Sequence, residues 1–180
     1  MCYNTYAIRL SRHFEIEPTI WDNRQEVSQI DLRLFTYQLS DQTCYIRAAK
    51  RYNAVTEIVA LDRTYYSMQT SLKIIDQACV MYGSTYAGRA NAMREIFNIH
   101  YNPPIPIDPK RGLYAFATHS PHHEDCIWII TKNIIGIRHG NKYSTIYFKN
   151  NLSLRVDLSK RRIDRLCSCL YQYTLHFREN

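Results

Sequence analysis

The stretch YSTIYFKNNLSLRVDLS, Tyr143 to Ser159, decides how the last third of this chain folds. Leu152, Leu154, Val156 and Leu158 alternate strictly with Ser153, Arg155 and Asp157, the period of a strand with one buried face. Tyr143 to Lys149 supplies a partner strand rich in aromatic and β-branched residues. Between them stand Asn150 and Asn151, which tolerate the positive backbone angles of a tight turn better than most pairs. The segment therefore reads as a β-hairpin. Ser159 can then cap a helix in which Ile163, Leu166, Cys167, Leu170, Tyr173, Thr174 and Phe177 recur at helical spacing. The expectation is an amphipathic helix over about 159–177, packed on the sheet.

Upstream, Gly136 and Gly140 suggest a turn, and strands are expected at 113–117 and 127–131 around a polar loop holding His119, Pro121, His122 and His123. Ser84 or Thr85 can cap a helix over about 85–99 with Ala90, Met93 and Phe97 on one side. Tyr101-Asn102-Pro103-Pro104 ends it, because proline cannot continue a helix. Val55, Glu57, Val59 and Leu61 alternate as a strand. Tyr65, Tyr66 and Met68, the apolar run Leu72 to Ile75, and Ala78 to Tyr82 before Gly83 read as further short strands. Met1 to Ile20 alternates loosely, and Asp22 can cap a helix carrying Val27, Ile30, Leu34 and Tyr37. The sum is an α+β fold with a mostly antiparallel sheet, a mid-chain helix and a closing helix, in a single domain spanning 1–180.

Composition agrees with one domain: 180 residues with 46% apolar content can bury one continuous core, and no repeat or linker divides them. No apolar run approaches the roughly 18 residues of a membrane span. Asn4, Arg9, Arg12 and His13 interrupt any secretory core, so a cytoplasmic protein is expected. The six cysteines are irregularly spaced and read as reduced packing thiols.

The net charge of +7 is not evenly spread. Residues 1–126 hold 13 Lys/Arg and 13 Asp/Glu, whereas residues 127–180 hold ten basic side chains against three acidic ones. The basic set is Lys132, Arg138, Lys142, Lys149, Arg155, Lys160, Arg161, Arg162, Arg165 and Arg178. Such asymmetry concentrates polyanions, nucleic acid foremost, although solvated charges that keep a protein soluble give the same count. Lys160, Arg161 and Arg162 fall in the first turn of the last helix, where the helix dipole disfavours each cation by roughly 0.3 to 1 kcal/mol. A phosphate backbone reverses that sign. Lys142, Lys149 and Arg155 add charge on the hairpin, interleaved with Tyr143 and Tyr147, and a two-stranded ribbon can enter a DNA groove. Tyrosines on a strand serve equally in cross-strand packing.

Other chemistry finds less support. The run His119, His122, His123, Glu124, Cys126 contains zinc-binding residue types without a second ligand pair at standard spacing, so no metal and no cofactor are expected. A zinc-dependent hydrolase centred there is the weakest reading. No nucleophile elbow or glycine-rich phosphate loop is present, which argues against an enzyme. A sequence-tolerant RNA or single-strand binder using exposed tyrosines is the main alternative to duplex binding.

The segment Ile74 to Arg89 carries an Ile-x-Asp-x-x-Cys pattern, taken as a strand, followed by Gly-Ser-x-Tyr-x-Gly-Arg. Pro103-Pro104-Ile105, Ile107-Asp108-Pro109, Phe116-Ala117-Thr118, Cys126-Ile127-Trp128-Ile129, Phe148-Lys149-Asn150-Asn151 and Ser159 follow in order. This ordered series resembles the ComK family of competence transcription factors of Gram-positive bacteria. It covers about 55–178, with residues 1–50 only weakly matched. The motif residues are Asp76, Cys79, Gly83, Ser84, Tyr86, Gly88, Arg89 and Trp128.

The resemblance implies an oligomeric activator of DNA-uptake genes that binds AT-rich promoter boxes with minor-groove contacts and works with RNA polymerase at the nucleoid. It also implies turnover through a proteolytic adaptor and an AAA+ protease. It does not say which side chains touch DNA; Lys142, Lys149, Arg155, Lys160, Arg161, Arg162 and Arg165 are the candidates, together with Arg89, placed to donate to phosphate. The chain departs from the family in three places: Asn150-Asn151 stands where Asn-Gly is usual, the histidine loop is unusual, and the sequence stops at Asn180, short of the tail of some relatives, which bears on adaptor-mediated turnover.

Overall fold

The protein's structure, a computed structural model, describes residues 32–34, 36–50 and 53–177. Ten strands and three α-helices run in the order β1 (Leu32–Leu34), β2 (Thr43–Ala48), β3 (Thr56–Ala60), β4 (Thr64–Ser67), α1 (Ser71–Met81), α2 (Tyr86–Phe97), β5 (Ile105–Asp108), β6 (Leu113–Ala117), β7 (Trp128–Ile130), β8 (Ile134–His139), β9 (Ser144–Phe148), β10 (Ser153–Val156) and α3 (Lys160–His176) among the described residues. The strands divide into two sheets rather than one. Seven form the order β1-β4-β3-β2-β7-β6-β5, antiparallel except for β1 beside β4, and three form β10-β9-β8.

Both faces of the large sheet are covered, which is why its central strands lack a polar face. On one side Ile46, Ile58, Ala115, Trp128 and Ile130 pack against Ile74, Ile75, Ala78 and Cys79 of α1 and Ala90 of α2. On the other, Tyr45, Val59, Phe116 and Ile129 pack against Ile146, Phe148, Leu154 and Val156 of the small sheet and Ile163 and Leu166 of α3. Further along α3, Cys169 and Tyr173 meet Met93 and Ile99, closing the edge between the two helical layers. The protein is thus three layers deep, with apolar burial at two interfaces supplying the main driving force.

The expected mid-chain and closing helices are present, and the hairpin is present with its turn. Asn150 and Asn151 both adopt positive φ, 69° and 60°, and the Phe148 amide donates to the Leu152 carbonyl at 2.8 Å. Three expectations are corrected. The segments 72–75 and 78–82 are not strands but one helix, α1. Its buried residues Ile74, Ile75, Ala78 and Cys79 fall at i, i+1, i+4 and i+5, a helical stripe, and the Thr70 hydroxyl caps it from Lys73 N. Leu34 belongs to β1 and the buried Tyr37 to an irregular segment, not to a helix, because the chain here adds a parallel strand beside β4; Asp22, Val27 and Ile30 lie outside the described residues. Gly136 lies inside β8 at a register shift, and Gly140 alone serves the turn, its amide donating to the Tyr143 carbonyl at 2.8 Å.

Candidate nucleic-acid interface

The residues of the family-like motif build the α1–α2 turn. Gly83, at φ 84°, is the left-handed residue after α1; its amide donates to Val80 O, and the Ser84 amide reaches back to Cys79 O. This paired closure satisfies the helix's last carbonyls. Thr85 caps α2 through Gly88 N, and Asp76 of α1 accepts from the Tyr86 amide at 2.9 Å, placing a carboxylate at the positive end of α2. A side chain on Gly88 would meet the Ser84 hydroxyl at 2.8 Å. Tyr86 stands edge-on to the buried Trp128, with ring centroids 5.8 Å apart.

Arg89 is half-buried and donates to Tyr82 O at 2.7 Å, so its guanidinium closes the same turn. Burial pushes the Cys79 thiol up to about 11, with Arg89 pulling the other way. Asp76, Cys79, Gly83, Ser84, Tyr86, Gly88 and Trp128 therefore explain how two helices are clamped to the sheet.

The cations of the last third lie mainly on the opposite layer. In the small sheet, Ile146, Phe148, Leu154 and Val156 point inward, so the alternate residues Thr145, Tyr147, Ser153 and Arg155 face out. Register extends that face across three strands. Arg155 pairs with Thr145, and Thr145 pairs with Arg138, while Ser153, Tyr147 and Gly136 form the next row. Arg138 is exposed and completes this row, a place the hairpin sequence does not reveal, since nothing in it says that a third strand continues its face. Lys142 projects from the β8–β9 turn. Lys149 stands at the other end of the ribbon, beyond the five residues of β9, which span roughly 17 Å, and there the Asn150 side-chain amide fixes the turn to Leu61 O at 2.8 Å.

The start of α3 adjoins the Lys142 end of the ribbon. The Ser144 hydroxyl donates to Leu158 O at 2.7 Å, and Ser159 caps the helix from Arg162 N. The three cations of the first turn have different surroundings. Lys160 pairs with Asp164 at 2.5 Å, Arg162 lies 5.5 Å from the Tyr101 ring, and Arg161 is exposed. Arg165, one turn on, shares the solvent side with Arg161. Lys132 is neutralised by Asp41 at 2.6 Å. Arg138, Lys142, Lys149, Arg155, Arg161, Arg162 and Arg165 have no carboxylate within ion-pair distance among the described residues.

The histidine loop is a polar turn. His119 and His123 stack with centroids 4.9 Å apart, the His123 Nδ1 accepts from the Asp125 amide, and the buried Cys126 donates to His119 O. Burial raises the Cys126 thiol above its ordinary range. Among the described residues no group of three or more His, Cys, Asp or Glu is arranged to hold a metal ion. None of the described helices is long and apolar enough to cross a membrane.

An α+β protein with its helical turn on one side and, on the other, a basic ribbon whose cations have no carboxylate partner among the described residues is the class that fold and surface define. The family model described as "ComK protein" matches residues 35–178, and the chain belongs to the ComK family. The match includes the segment between 35 and 55 as well as the motifs further on. A curated relative, the competence transcription factor of Bacillus subtilis (strain 168), is 35% identical over 74 residues, 41% of this chain and 38% of the relative. The aligned part is therefore well under two thirds of either protein. No solved structure matches the chain at a significant level.

Proposed function

We propose that this protein is a transcription factor that activates competence genes by binding AT-rich promoter DNA through the outer face of the small sheet and the start of α3. The observation that carries the reading is the set of exposed cations without carboxylate partners among the described residues, Arg138, Lys142, Arg155, Arg161 and Arg165, grouped on the ribbon and the helix that follows it. Phosphate contacts by lysine and arginine supply affinity and register. The narrow minor groove of A·T tracts, with its enhanced negative potential, supplies the preference for arginine. Lys149 at the far end of the ribbon and Lys160 and Arg162 in the first turn of α3 are the further candidate phosphate contacts of this reading, and Arg89 serves the turn between α1 and α2. Self-association across paired boxes, contact with RNA polymerase, delivery by an adaptor to an AAA+ protease, and action at the nucleoid in the cytoplasm complete the reading; it assigns no reaction to the protein.

A mobility shift with an AT-box duplex, a GC-rich duplex of equal length and the AT strand alone tests it. Tighter binding to the AT duplex is expected. Equal binding to both duplexes would leave a nonspecific binder, and preference for the single strand would replace duplex recognition by the stacking mode.

A further inference from the structure

Gly140 does not lie in the left-handed region, so its backbone would accept any side chain. What excludes one is Tyr143: a Cβ on Gly140 would meet the ring's Cζ at 2.9 Å and both Cε atoms at 3.1 Å. The ring lies flat on the glycine. The guanidinium carbon of Arg155 stands 3.7 Å from the centroid of the same ring. The arginine and the glycine cannot occupy one face without overlapping, so the ring is sandwiched between them. The Gly140 amide bond to the Tyr143 carbonyl locks the lower half of this stack to the turn.

The arrangement solves a particular problem. A long surface arginine is usually ordered by a carboxylate, which cancels the charge it orders. A tyrosine ring orders the planar guanidinium by stacking and leaves both its charge and its N–H donors available. Arg155 pairs with Thr145 in the cross-strand row that ends at Arg138, about 10 Å away over two strand spacings. It faces outward beside a small side chain that does not obstruct it.

We propose that Arg155, held on the Gly140–Tyr143 platform, enters the A·T-rich groove and sets the sequence preference, while Lys142, Arg161 and Arg165 contact phosphate on any sequence. The inference rests on the DNA reading above and goes beyond it by separating one preference-setting arginine from the other cations. An ordered guanidinium suits insertion into a narrow groove, where the ordering cost otherwise subtracts from binding.

The test measures dissociation constants of the full chain on AT-box and GC-rich duplexes for wild type, Tyr143→Phe, Tyr143→Leu and Gly140→Ala, with thermal melts to establish folding. Tyr143→Phe should keep the wild-type AT/GC ratio, because the ring remains. Tyr143→Leu and Gly140→Ala should each lower it about threefold, with the salt dependence unchanged because no charge is removed. Should Tyr143→Leu fail to fold, Arg155→Lys, which keeps the charge and loses the flat stack, is to give the same loss. Variants that retain the wild-type ratio, or that weaken both duplexes equally, overturn the platform while leaving the DNA reading standing. A wild-type protein without AT preference overturns both.

Discussion

Replacing Arg161 and Arg165 together by alanine removes two guanidiniums that share the solvent side of α3 without carboxylate partners among the described residues. Each phosphate contact contributes about 0.9 to the slope of log affinity against log salt, so losing two flattens that slope by about 1.8. Between 50 and 200 mM salt, the variant's affinity should then fall about 12-fold less than the wild type's. Lys160 provides the contrast, because its ammonium is already engaged by Asp164 at 2.5 Å. Asp164→Asn should release it and steepen the slope by up to about 0.9. Fluorescence anisotropy of a labelled duplex across a salt series reads both changes. A double variant with the wild-type slope would refute the reasoning, since it would mean that this side of α3 does not meet phosphate.

Other outcomes follow from the turn, the hairpin and the buried thiols. Gly83→Ala, at φ 84° in open space, should cost about 1 kcal/mol of stability in urea titrations, and Thr85→Ala about the same through loss of the α2 cap. Asn151→Gly should raise the melting temperature slightly by relieving a positive φ of 60°, whereas Asn150→Gly should lower it because the bond to Leu61 O is lost. Burial raises the Cys44 and Cys79 thiols from 9.0 to about 11, so the folded state holds these protons more tightly than the unfolded chain. Their contribution to stability is fully present below about pH 9 and is lost as pH rises toward 11. Alkylation at pH 8 should therefore reach both sites only after unfolding.

The hairpin and α3 were legible because each presents one wet face and one buried face, so Leu154 and Val156, then Ile163 and Leu166, mark the period directly. Helix α1 reads as strands in the sequence because Leu72, Ile74, Ile75, Ala78 and Cys79 crowd one stretch, and a short apolar run satisfies either period; the cap at Thr70 and the closure at Gly83 decide for the helix. Burial on both faces also erases alternation in β7, where Trp128, Ile129 and Ile130 are all inside. The pairing of β2 with β7, Tyr45 opposite Ile129, joins strands some eighty residues apart and leaves no local trace.

The basic surface was legible as a count and only partly as a place. Sequence could not reveal that Asp41, 91 positions away, neutralises Lys132, or that Arg138 continues the row begun by Arg155. Nor could it show Arg155 lying on Tyr143 rather than pointing freely into solvent. The motif that identifies the family points instead to the α1–α2 clamp, on the other side of the large sheet from the ribbon.

Site-specific photocrosslinking places the duplex most directly. A photoreactive residue at Tyr147, in the middle of the ribbon's outer face, should capture an AT-box duplex, and one at the exposed Val80 of α1 should not. Capture from Val80 with none from Tyr147 would put the DNA on the helical clamp and contradict the account.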